Sequence, residues 1–412
     1  MSTLTLKIER PAYGGVYIGR HEGKVVMIKG AVLPGETVEA IIEDEKKDYI
    51  AASVKKILES SPHRIRPACR YFGVCGGCHL QHAPYALQVR LKQEILRDCL
   101  KRLAQIENDL GKPIIDADPW NYRLRGQFKT SHGVIGLYRE NTREVVDMDN
   151  CPLMDEKINE GLKNIKPLLK SFGIREIHIT TGDRSTALIK LSSSGKSPEG
   201  MNELASLFQQ AGFSGLYIET RDKKIVRYGE PYVTLSLQDL KYTISPMAFF
   251  QSHWRLNQTV VELIKNSLKP LKGIKVLDLY SGAGNFSIPL AADADVIAVE
   301  ENPYAIEDGR RNLKSNGIRN YRLINSSAED FHFEGRFDIV ILDPPRTGVT
   351  NRVAGKILDL MPGRIVYISC NPATFARDLK KLQRKYEIES VGIIDFFPQT
   401  YHVESLAIFR LR

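Results

Sequence analysis

The sequence predicts a C-terminal α/β domain with a doubly wound, Rossmann-like parallel sheet, preceded by a small β-barrel and a central α+β region. Three observations support this fold class. After Ile244, apolar strand-like segments alternate with helical segments, which is typical of parallel α/β sheets. The strand-like segments, such as FDIVIL, are continuous apolar runs, as expected for strands buried on both faces. The first sixty residues are instead short alternating segments separated by glycine and proline turns.

The length of 412 residues is well above the roughly 150 residues of a common domain, which predicts several domains. Changes in pattern predict four segments: a β-barrel of the oligonucleotide-binding type at 1–60, a cysteine-bearing insert at 61–106, a central α+β domain at 107–245, and the doubly wound domain at 246–412. Within the third segment, residues 193–198 (SSGKSP) predict an exposed loop.

The composition is that of an ordinary globular protein, with 42% hydrophobic and 26% charged residues. No apolar run approaches the ~18 residues of a membrane span, so we expect no membrane partner. The N-terminal residues show neither a secretory nor a transit pattern, and we therefore expect a cytoplasmic protein. No obligate protein partner is indicated.

Basic residues are concentrated in two places. The formal net charge is +9, and the insert at 61–106 carries eight Lys or Arg residues against Glu94 and Asp98, a local net charge of +6. The members of a second, acid-free patch are Trp120, Tyr122, Arg123, Arg125, Phe128 and Lys129. Cations beside rings that can stack on bases predict an RNA partner, although a solvated basic surface is the alternative interpretation.

A glycine turn marks a predicted cofactor site. The segment DLYSGAGN, Asp278 to Asn285, lies where a buried strand meets a helix, which is where ligands bind in doubly wound sheets. It lacks the third glycine of a dinucleotide turn, because Ser287 occupies that position, and this disfavours a pyrophosphate. The next strand ends in Glu300, which could accept hydrogen bonds from both ribose hydroxyls. This combination favours S-adenosylmethionine, with Ser327 near the adenine.

Two further strand ends predict the chemical site. They carry Asp343-Pro-Pro-Arg and Ser369-Cys370-Asn-Pro. The first motif alone would suit methylation of an exocyclic amino group. Cys370 favours a different reaction, because carbon 5 of uracil becomes nucleophilic only after a thiolate adds to carbon 6. A general base must then remove the proton on carbon 5; Glu404 is the first choice and His402 the alternative.

Four cysteines have the spacing of metal ligands. Cys69, Cys75 and Cys78 form a C-x5-C-x2-C pattern, and Cys151 precedes a proline farther along the chain. In a cytoplasmic protein such thiols favour a metal over disulfides. Zinc and an iron-sulfur cluster both accept four thiolates, so the spacing alone leaves both open. Cys99, on a predicted helix, is expected to be a packing residue.

The motifs DLYSGAGNFS, ILDPPRTG, YISCNP and HVESL together resemble the RNA 5-methyluridine (uracil-C5) methyltransferase family. Residues 1–60 resemble its TRAM domain, notably in GAVLPGETVEA. The resemblance implies that Cys370 is the nucleophile, that Glu404 accepts the proton, and that Asp343 lies where uracil and cofactor meet. It further implies a cofactor pocket formed by Gln251, Tyr280, Gly282, Asn285 and Glu300. The sequence departs from the family pattern directly after Gln251. Ser252 stands in place of the family's usual residue, and His253 stands in place of its asparagine.

The resemblance also implies that Cys69, Cys75, Cys78 and Cys151 bind a [4Fe-4S] cluster, and that the central domain binds RNA. We therefore predict an S-adenosylmethionine-dependent RNA (uracil-C5-)-methyltransferase that forms a covalent adduct through Cys370. The predicted substrate is the T-loop uridine of tRNA, with a uridine of 23S rRNA as the alternative. Further alternatives are an exocyclic-amine methyltransferase and a non-catalytic iron-sulfur protein that binds RNA.

Overall fold

A computed structural model describes residues 2–169, 172–192, 198–332 and 334–412. The chain forms two compact units. The first unit consists of Met1–Ile115, Pro345–Val349 and Ile368–Ile408, and the second of Asp116–Pro344, Thr350–Tyr367 and Phe409–Arg412. Among the described residues, no helix is long and apolar enough to cross a membrane. Residues 193–197 of the predicted loop lie outside the described part of the chain.

The N-terminal strands close into a barrel in the order β1-β2-β3-β5-β4, which confirms the predicted barrel. The strands are β1 (Thr3–Ala12), β2 (Val16–His21), β3 (Lys24–Lys29), β4 (Thr37–Glu45) and β5 (Tyr49–Glu59). Successive side chains of a strand point to opposite faces, and the alternation along β1 places Leu4, Leu6 and Ile8 in the barrel core.

The loop GAVLPGE before β4 is fixed by a buried carboxylate. Glu36 accepts hydrogen bonds from the amides of Leu33 at 2.9 Å and Ser61 at 3.1 Å, and from Arg64 at 2.7 Å. Burial raises the pKa of Glu36, but these bonds outweigh burial and hold it below its ordinary value. The barrel is thereby joined to the segment that follows it.

Residues between β5 and the first helix are mostly irregular. Helix α1 (Tyr85–Cys99) continues as a π-helical turn, Leu100–Ala104, which confirms the helix predicted at Cys99. Leu91 of α1 packs with Leu33 of the barrel loop and with Ala83.

The central region belongs to the second unit and has a seven-stranded sheet of order β12-β11-β10-β9-β6-β7-β8, plus the hairpin β13-β14. Its helices are α2 (Glu156–Ile165) and α3 (Pro198–Gln210). The strands are β6 (Arg125–Ser131), β7 (Val134–Tyr138), β8 (Val145–Asp147), β9 (Ile174–Thr181), β10 (Ser185–Leu191), β11 (Phe213–Glu219), β12 (Ile225–Gly229), β13 (Val233–Leu237) and β14 (Leu240–Ile244).

The C-terminal strands form the predicted doubly wound sheet, in the order β17-β16-β15-β18-β19-β21-β20. The strands are β15 (Lys275–Leu279), β16 (Asp295–Glu300), β17 (Tyr321–Asn325), β18 (Ile339–Leu342), β19 (Arg364–Ser369), β20 (Tyr386–Ile394) and β21 (Glu404–Leu411). The helices are α4 (Trp254–Ser267), α5 (Pro303–Ser315), α6 (Asn351–Leu360) and α7 (Pro372–Leu382).

Strands β15 to β19 pair in parallel, and the chain order reverses between β15 and β18. Ligands of such sheets bind outside the carboxyl ends of the strands at this reversal. The residues that follow β15 and β18 are therefore where the cofactor site is expected.

Candidate active site

The glycine turn after β15 is held in a left-handed conformation. Tyr280 has φ +63°, Gly282 has φ +55° and Gly284 has φ +88°. A Cβ atom on Gly284 would lie 2.6 Å from the side chain of Ile288, whereas one on Gly282 would meet no atom of the described residues within 4 Å. The turn is thus packed at Gly284 and open at Gly282, where a ligand can approach the backbone.

Glu300, at the end of β16, fixes this turn. Its Oε2 accepts a hydrogen bond from the Gly282 amide at 2.9 Å, and its Oε1 accepts one from the Asn302 amide at 2.8 Å. A carboxylate has further acceptor sites, so the same group can still receive ribose hydroxyls.

Ser287 has a structural role at the position of the missing third glycine. Its hydroxyl donates to Oδ2 of Asp278 at 2.5 Å and lies 2.7 Å from the Tyr321 hydroxyl. Asp278 is only 1% exposed, and its Oδ1 has no hydrogen-bond partner among the described residues. Burial raises the pKa of Asp278 to about 8, and Asp343 and Glu300 add to the rise.

Asp343, which follows β18, faces the same group of acids. Burial raises the pKa of Asp343 to about 7; the amide of Gln251, 3.5 Å from its Oδ2, opposes this and Glu300 adds to it. Asp278, Glu300 and Asp343 therefore form a carboxylate cluster in which the ionised forms of Asp278 and Asp343 are poorly stabilised. Such a cluster suits a cationic ligand, because a positive charge would stabilise the ionised carboxylates.

The segment after Gln251 has His253 where the family pattern has an asparagine. A side-chain amide is still supplied, by Asn257. Nδ1 of His253 accepts the Leu256 amide at 3.4 Å and caps helix α4. One turn later, Asn257 exchanges two side-chain hydrogen bonds with Asn285 of the glycine turn, at 2.7 and 2.9 Å. Asn285 is thus oriented by Asn257.

Ser327 is engaged within its own loop. Its hydroxyl donates to Oδ2 of Asp330 at 2.8 Å and accepts the Asp330 amide at 3.1 Å. Its contact with an adenine stays a prediction.

In the first unit, Cys370 lies between strand β19 and helix α7 and is partly exposed. Asn371 caps α7, because its Oδ1 accepts the amides of Ala373 at 3.0 Å and Thr374 at 3.3 Å. Its Nδ2 donates to the carbonyl of Arg346 at 3.1 Å. The position of Cys370 before a capped helix favours a negative charge on its sulfur, since the helix N-terminus carries partial positive charge.

The loop after Asp343 is anchored to α7 by a residue that sequence reasoning missed. Asp378 is fully buried, and its Oδ2 accepts the amide of Val349 at 2.9 Å. Gly348 has φ +74°, and a Cβ atom there would lie 2.2 Å from the same oxygen. The glycine of ILDPPRTG is therefore required for this close approach.

Glu404 begins strand β21 and is 6% exposed. The preceding chain is held by Lys92 of α1, whose Nζ donates to Oδ1 of Asp395 at 2.6 Å and to the carbonyl of Phe397 at 2.8 Å. Burial lowers the pKa of Lys92, while Asp395 and Glu404 oppose the decrease. Glu404 thus lies within electrostatic reach of a buried ammonium group.

A second contact fixes the same stretch of chain. Gln88 donates to the side-chain oxygen of Gln399 at 2.8 Å and accepts the Gln399 amide at 2.9 Å. The Gln399 carbonyl accepts the amides of His79 at 2.9 Å and Leu80 at 3.0 Å. The cysteine-bearing segment therefore contacts the chain that leads to Glu404.

The predicted cluster ligands lie in separate parts of the sequence. Cys69, Cys75 and Cys78 are partly exposed in the first unit, and Cys151 is buried in the second. The Gly77 amide donates to Sγ of Cys75 at 3.4 Å. Within the described ranges, no three or more His, Cys, Asp or Glu side chains form a group that could hold a metal ion. The iron-sulfur cluster therefore stays a prediction from the cysteine pattern.

The predicted basic and aromatic patch is largely structural, which corrects the interpretation from sequence. Phe128 is fully buried and Tyr122 is 2% exposed, so neither ring can stack on a base. Arg125 donates to the carbonyls of Ala248 at 2.6 Å and Ser245 at 2.8 Å. Lys129 pairs with Glu176 at 2.6 Å. Lys92, counted with the basic insert, is likewise buried in an ion pair.

Comparison with known proteins agrees with this site. A family model described as tRNA (Uracil-5-)-methyltransferase matches residues 84–411, and a TRAM domain model matches residues 1–55. An uncharacterized RNA methyltransferase of Aquifex aeolicus is 36% identical and covers 99% of both chains. A 23S rRNA (uracil(1939)-C(5))-methyltransferase of Klebsiella pneumoniae is 34% identical and covers 97% of this chain and 93% of its own.

Among solved structures, the tRNA (uracil-54, C5)-methyltransferase of Pyrococcus abyssi in complex with S-adenosyl-L-homocysteine is similar over 98% of this chain and 99% of its own, with 28% identity and a TM-score of 0.78. The chain therefore belongs to the tRNA (uracil-5-)-methyltransferase family and carries an N-terminal TRAM domain. This confirms the predicted enzyme class, RNA uracil-C5 methylation. The amine-methylating and non-catalytic alternatives are not supported.

Proposed function

We propose that this family member methylates carbon 5 of a 23S rRNA uridine through a covalent adduct with Cys370. The observation that carries the proposal is the position of Cys370, a partly exposed thiol at the N-terminus of a capped helix directly after β19. Support for the rRNA substrate comes from relatives at 32–34% identity that act on uracil 1939 of 23S rRNA.

The mechanism assigns one step to each residue. The thiolate of Cys370 adds to carbon 6 of uracil, and the C5=C6 electron pair moves so that carbon 5 becomes nucleophilic. S-adenosylmethionine supplies the methyl group for carbon 5. Glu404 then accepts the proton on carbon 5, the C6–S bond breaks, and the C5=C6 double bond is restored as the thiolate of Cys370 leaves. The target base must be turned out of its stack to be reached in this way.

A second candidate substrate is the T-loop uridine of tRNA, the substrate predicted from the sequence. It is favoured by the similarity to the Pyrococcus abyssi enzyme, which acts on uracil 54 of tRNA. Methyl transfer to tRNA and to 23S rRNA, assayed separately with mapping of the modified position, distinguishes the two substrates.

We assign the methyl-donor pocket to Gln251, Tyr280, Gly282, Asn285, Glu300 and Asp343, with Ser327 toward the adenine. The open turn at Gly282 and the carboxylate cluster fit a nucleoside that carries a sulfonium cation. Asp343 would face the cationic end of the donor, and Glu300 its ribose.

The carboxylate cluster predicts a pH-dependent affinity for the donor. The raised pKa values of Asp343, about 7, and Asp278, about 8, mean that both acids take up protons as the pH falls below these values. Protonation removes the charge that attracts a cation. We therefore expect calorimetry to show S-adenosylmethionine binding that strengthens between about pH 6 and pH 8, by at most about tenfold per pH unit and group.

The matched control for this prediction is S-adenosylhomocysteine, which has the same amino and carboxylate groups but no sulfonium charge. Its affinity should change less over the same pH interval. Equal pH dependence for the two ligands would show that the cluster does not sense the sulfonium.

Substitutions separate the roles of Cys370 and Glu404. Cys370→Ala should abolish both methyl transfer and the covalent complex with RNA that contains 5-fluorouridine. Glu404→Gln should slow proton removal by about 10²–10⁴-fold and let the covalent adduct accumulate on ordinary RNA, seen as a shifted band on a denaturing gel. Cys99→Ala, which removes a buried thiol of α1, serves as the control and should still form the adduct. A fully active Cys370→Ala protein would refute the mechanism.

On the cysteine pattern alone, we further propose that Cys69, Cys75, Cys78 and Cys151 bind a [4Fe-4S] cluster with no step in the methylation. Anaerobically purified protein should then contain four iron and four acid-labile sulfide ions per chain. Cys75→Ser should lose them, while Cys99→Ser keeps them. Stoichiometric zinc in place of iron would contradict the proposal.

A further inference from the structure

The turn between β1 and β2 of the barrel, here called the β1–β2 turn, consists of Tyr13, Gly14 and Gly15. Gly15 has φ +77°, and a Cβ atom there would lie 2.6 Å from Cδ1 of Tyr401. The backbone of the turn therefore packs directly on the Tyr401 ring. Only glycine satisfies both the backbone conformation and this close approach.

Tyr401 belongs to the chain that leads to Glu404. Its ring centroid lies 4.4 Å from that of His79 and 4.7 Å from that of His402, which is two residues from Glu404. The barrel turn is thus joined through Tyr401 to the segment that carries the proposed base.

Tyr13 projects from the same turn and is 40% exposed. Burial raises the pKa of its hydroxyl, Arg346 opposes the rise, and Cys370 and Tyr401 add to it. The packing of Gly15 on Tyr401 fixes the turn in the first unit, where Arg346 and Cys370 lie within electrostatic reach of Tyr13. The Arg346 carbonyl is fixed by Asn371 and by the hydroxyl of Thr374, each at 3.1 Å.

A half-exposed ring beside an exposed arginine is a common combination at sites that hold single-stranded RNA, since the arginine meets phosphate and the ring stacks on a base. The target uracil itself is a poor partner for this ring. Its faces at carbons 5 and 6 must receive the methyl group and the thiolate. The base available for stacking is therefore that of a neighbouring nucleotide.

We propose that the β1–β2 turn forms part of the RNA-binding site next to Cys370, and that Tyr13 stacks on the base of a nucleotide adjacent to the target uridine. This proposal rests on the proposed function of Cys370. It assigns the barrel a direct part in holding the substrate at the nucleophile, in addition to any contact it makes with more distant RNA.

The test compares Tyr13→Ala with Tyr13→Phe in steady-state methyl transfer. Loss of one stacked base corresponds to roughly 5- to 150-fold in affinity, so Tyr13→Ala should raise the KM for RNA by that range and change kcat little. Tyr13→Phe keeps the ring and should remain within about twofold of the unmodified protein, since stacking requires only the ring. Tyr49→Ala is the control, because Tyr49 is 37% exposed and pairs with Val25 at the other end of the barrel.

RNA substrates with an abasic site identify the stacked base. Removal of the base on one side of the target uridine should raise the KM of the unmodified protein and abolish its difference from Tyr13→Ala. If the difference persists when the base on either side is removed, Tyr13 does not stack on an adjacent base. An equal rise in KM for Tyr49→Ala would also contradict a contact specific to this turn.

Two glycine variants test the packing of the turn. Gly14 and Gly15 both have positive φ, but a Cβ atom on Gly14 would meet nothing within 4 Å in the part of the chain that the structure describes. Gly15→Ala should therefore impair adduct formation more than Gly14→Ala, because only the former displaces Tyr401. Equal effects would mean that backbone strain alone matters. If Cys370→Ala is inactive and Tyr13→Ala is normal, only the present proposal fails.

Discussion

The buried ammonium of Lys92 connects the fold of the first unit to its proposed chemistry. Lys92 is 1% exposed and bonds to Asp395 and to the carbonyl of Phe397, in the chain that leads to Glu404. Loss of one partner of such a pair typically costs about 3–5 kcal/mol, because the other charge is left buried and unpaired. The same positive charge lies within electrostatic reach of Glu404. One interaction thus fixes the chain that leads to the proposed base and sets part of its electrostatic surroundings.

In the second unit, the grouped charges are negative rather than positive. Asp278, Glu300 and Asp343 gather at the reversal of the sheet, and the raised pKa values of Asp278 and Asp343 indicate that their charges are poorly stabilised without a ligand. Ser287 and Gln251 offset part of this cost through hydrogen bonds. A cationic methyl donor would offset more. The glycine turn is then both a steric opening and the edge of a site that attracts positive charge.

The parts of this architecture that the sequence predicted are those that depend on local pattern. Continuous apolar runs identified the parallel strands, and DLYSGAGN and ILDPPRTG identified the ends of β15 and β18. Counts of basic and aromatic residues were a poorer guide to the RNA-binding surface, because the sequence position of such a residue gives no information about its burial. Phe128 and Arg125 proved to be core and backbone-binding groups rather than an RNA surface. Gln88 and Lys92 carried a usable signal: they lie one turn apart on the buried face of α1, among Leu91 and Ile95. Asp378 and the contact of Gly15 with Tyr401 bring together residues far apart in the chain, and no local pattern predicts them.

The central claim is that Cys370 activates carbon 5 of a uridine, and the hydrogen on that carbon reports on it directly. Methylation at carbon 5 must expel this hydrogen, whereas methylation of an exocyclic amine or a ribose oxygen leaves it in place. RNA labelled with tritium at carbon 5 of uridine therefore provides the test. The account predicts one tritium released to water for each methyl group transferred, with both lost in Cys370→Ala. Methyl transfer without release of tritium would contradict it.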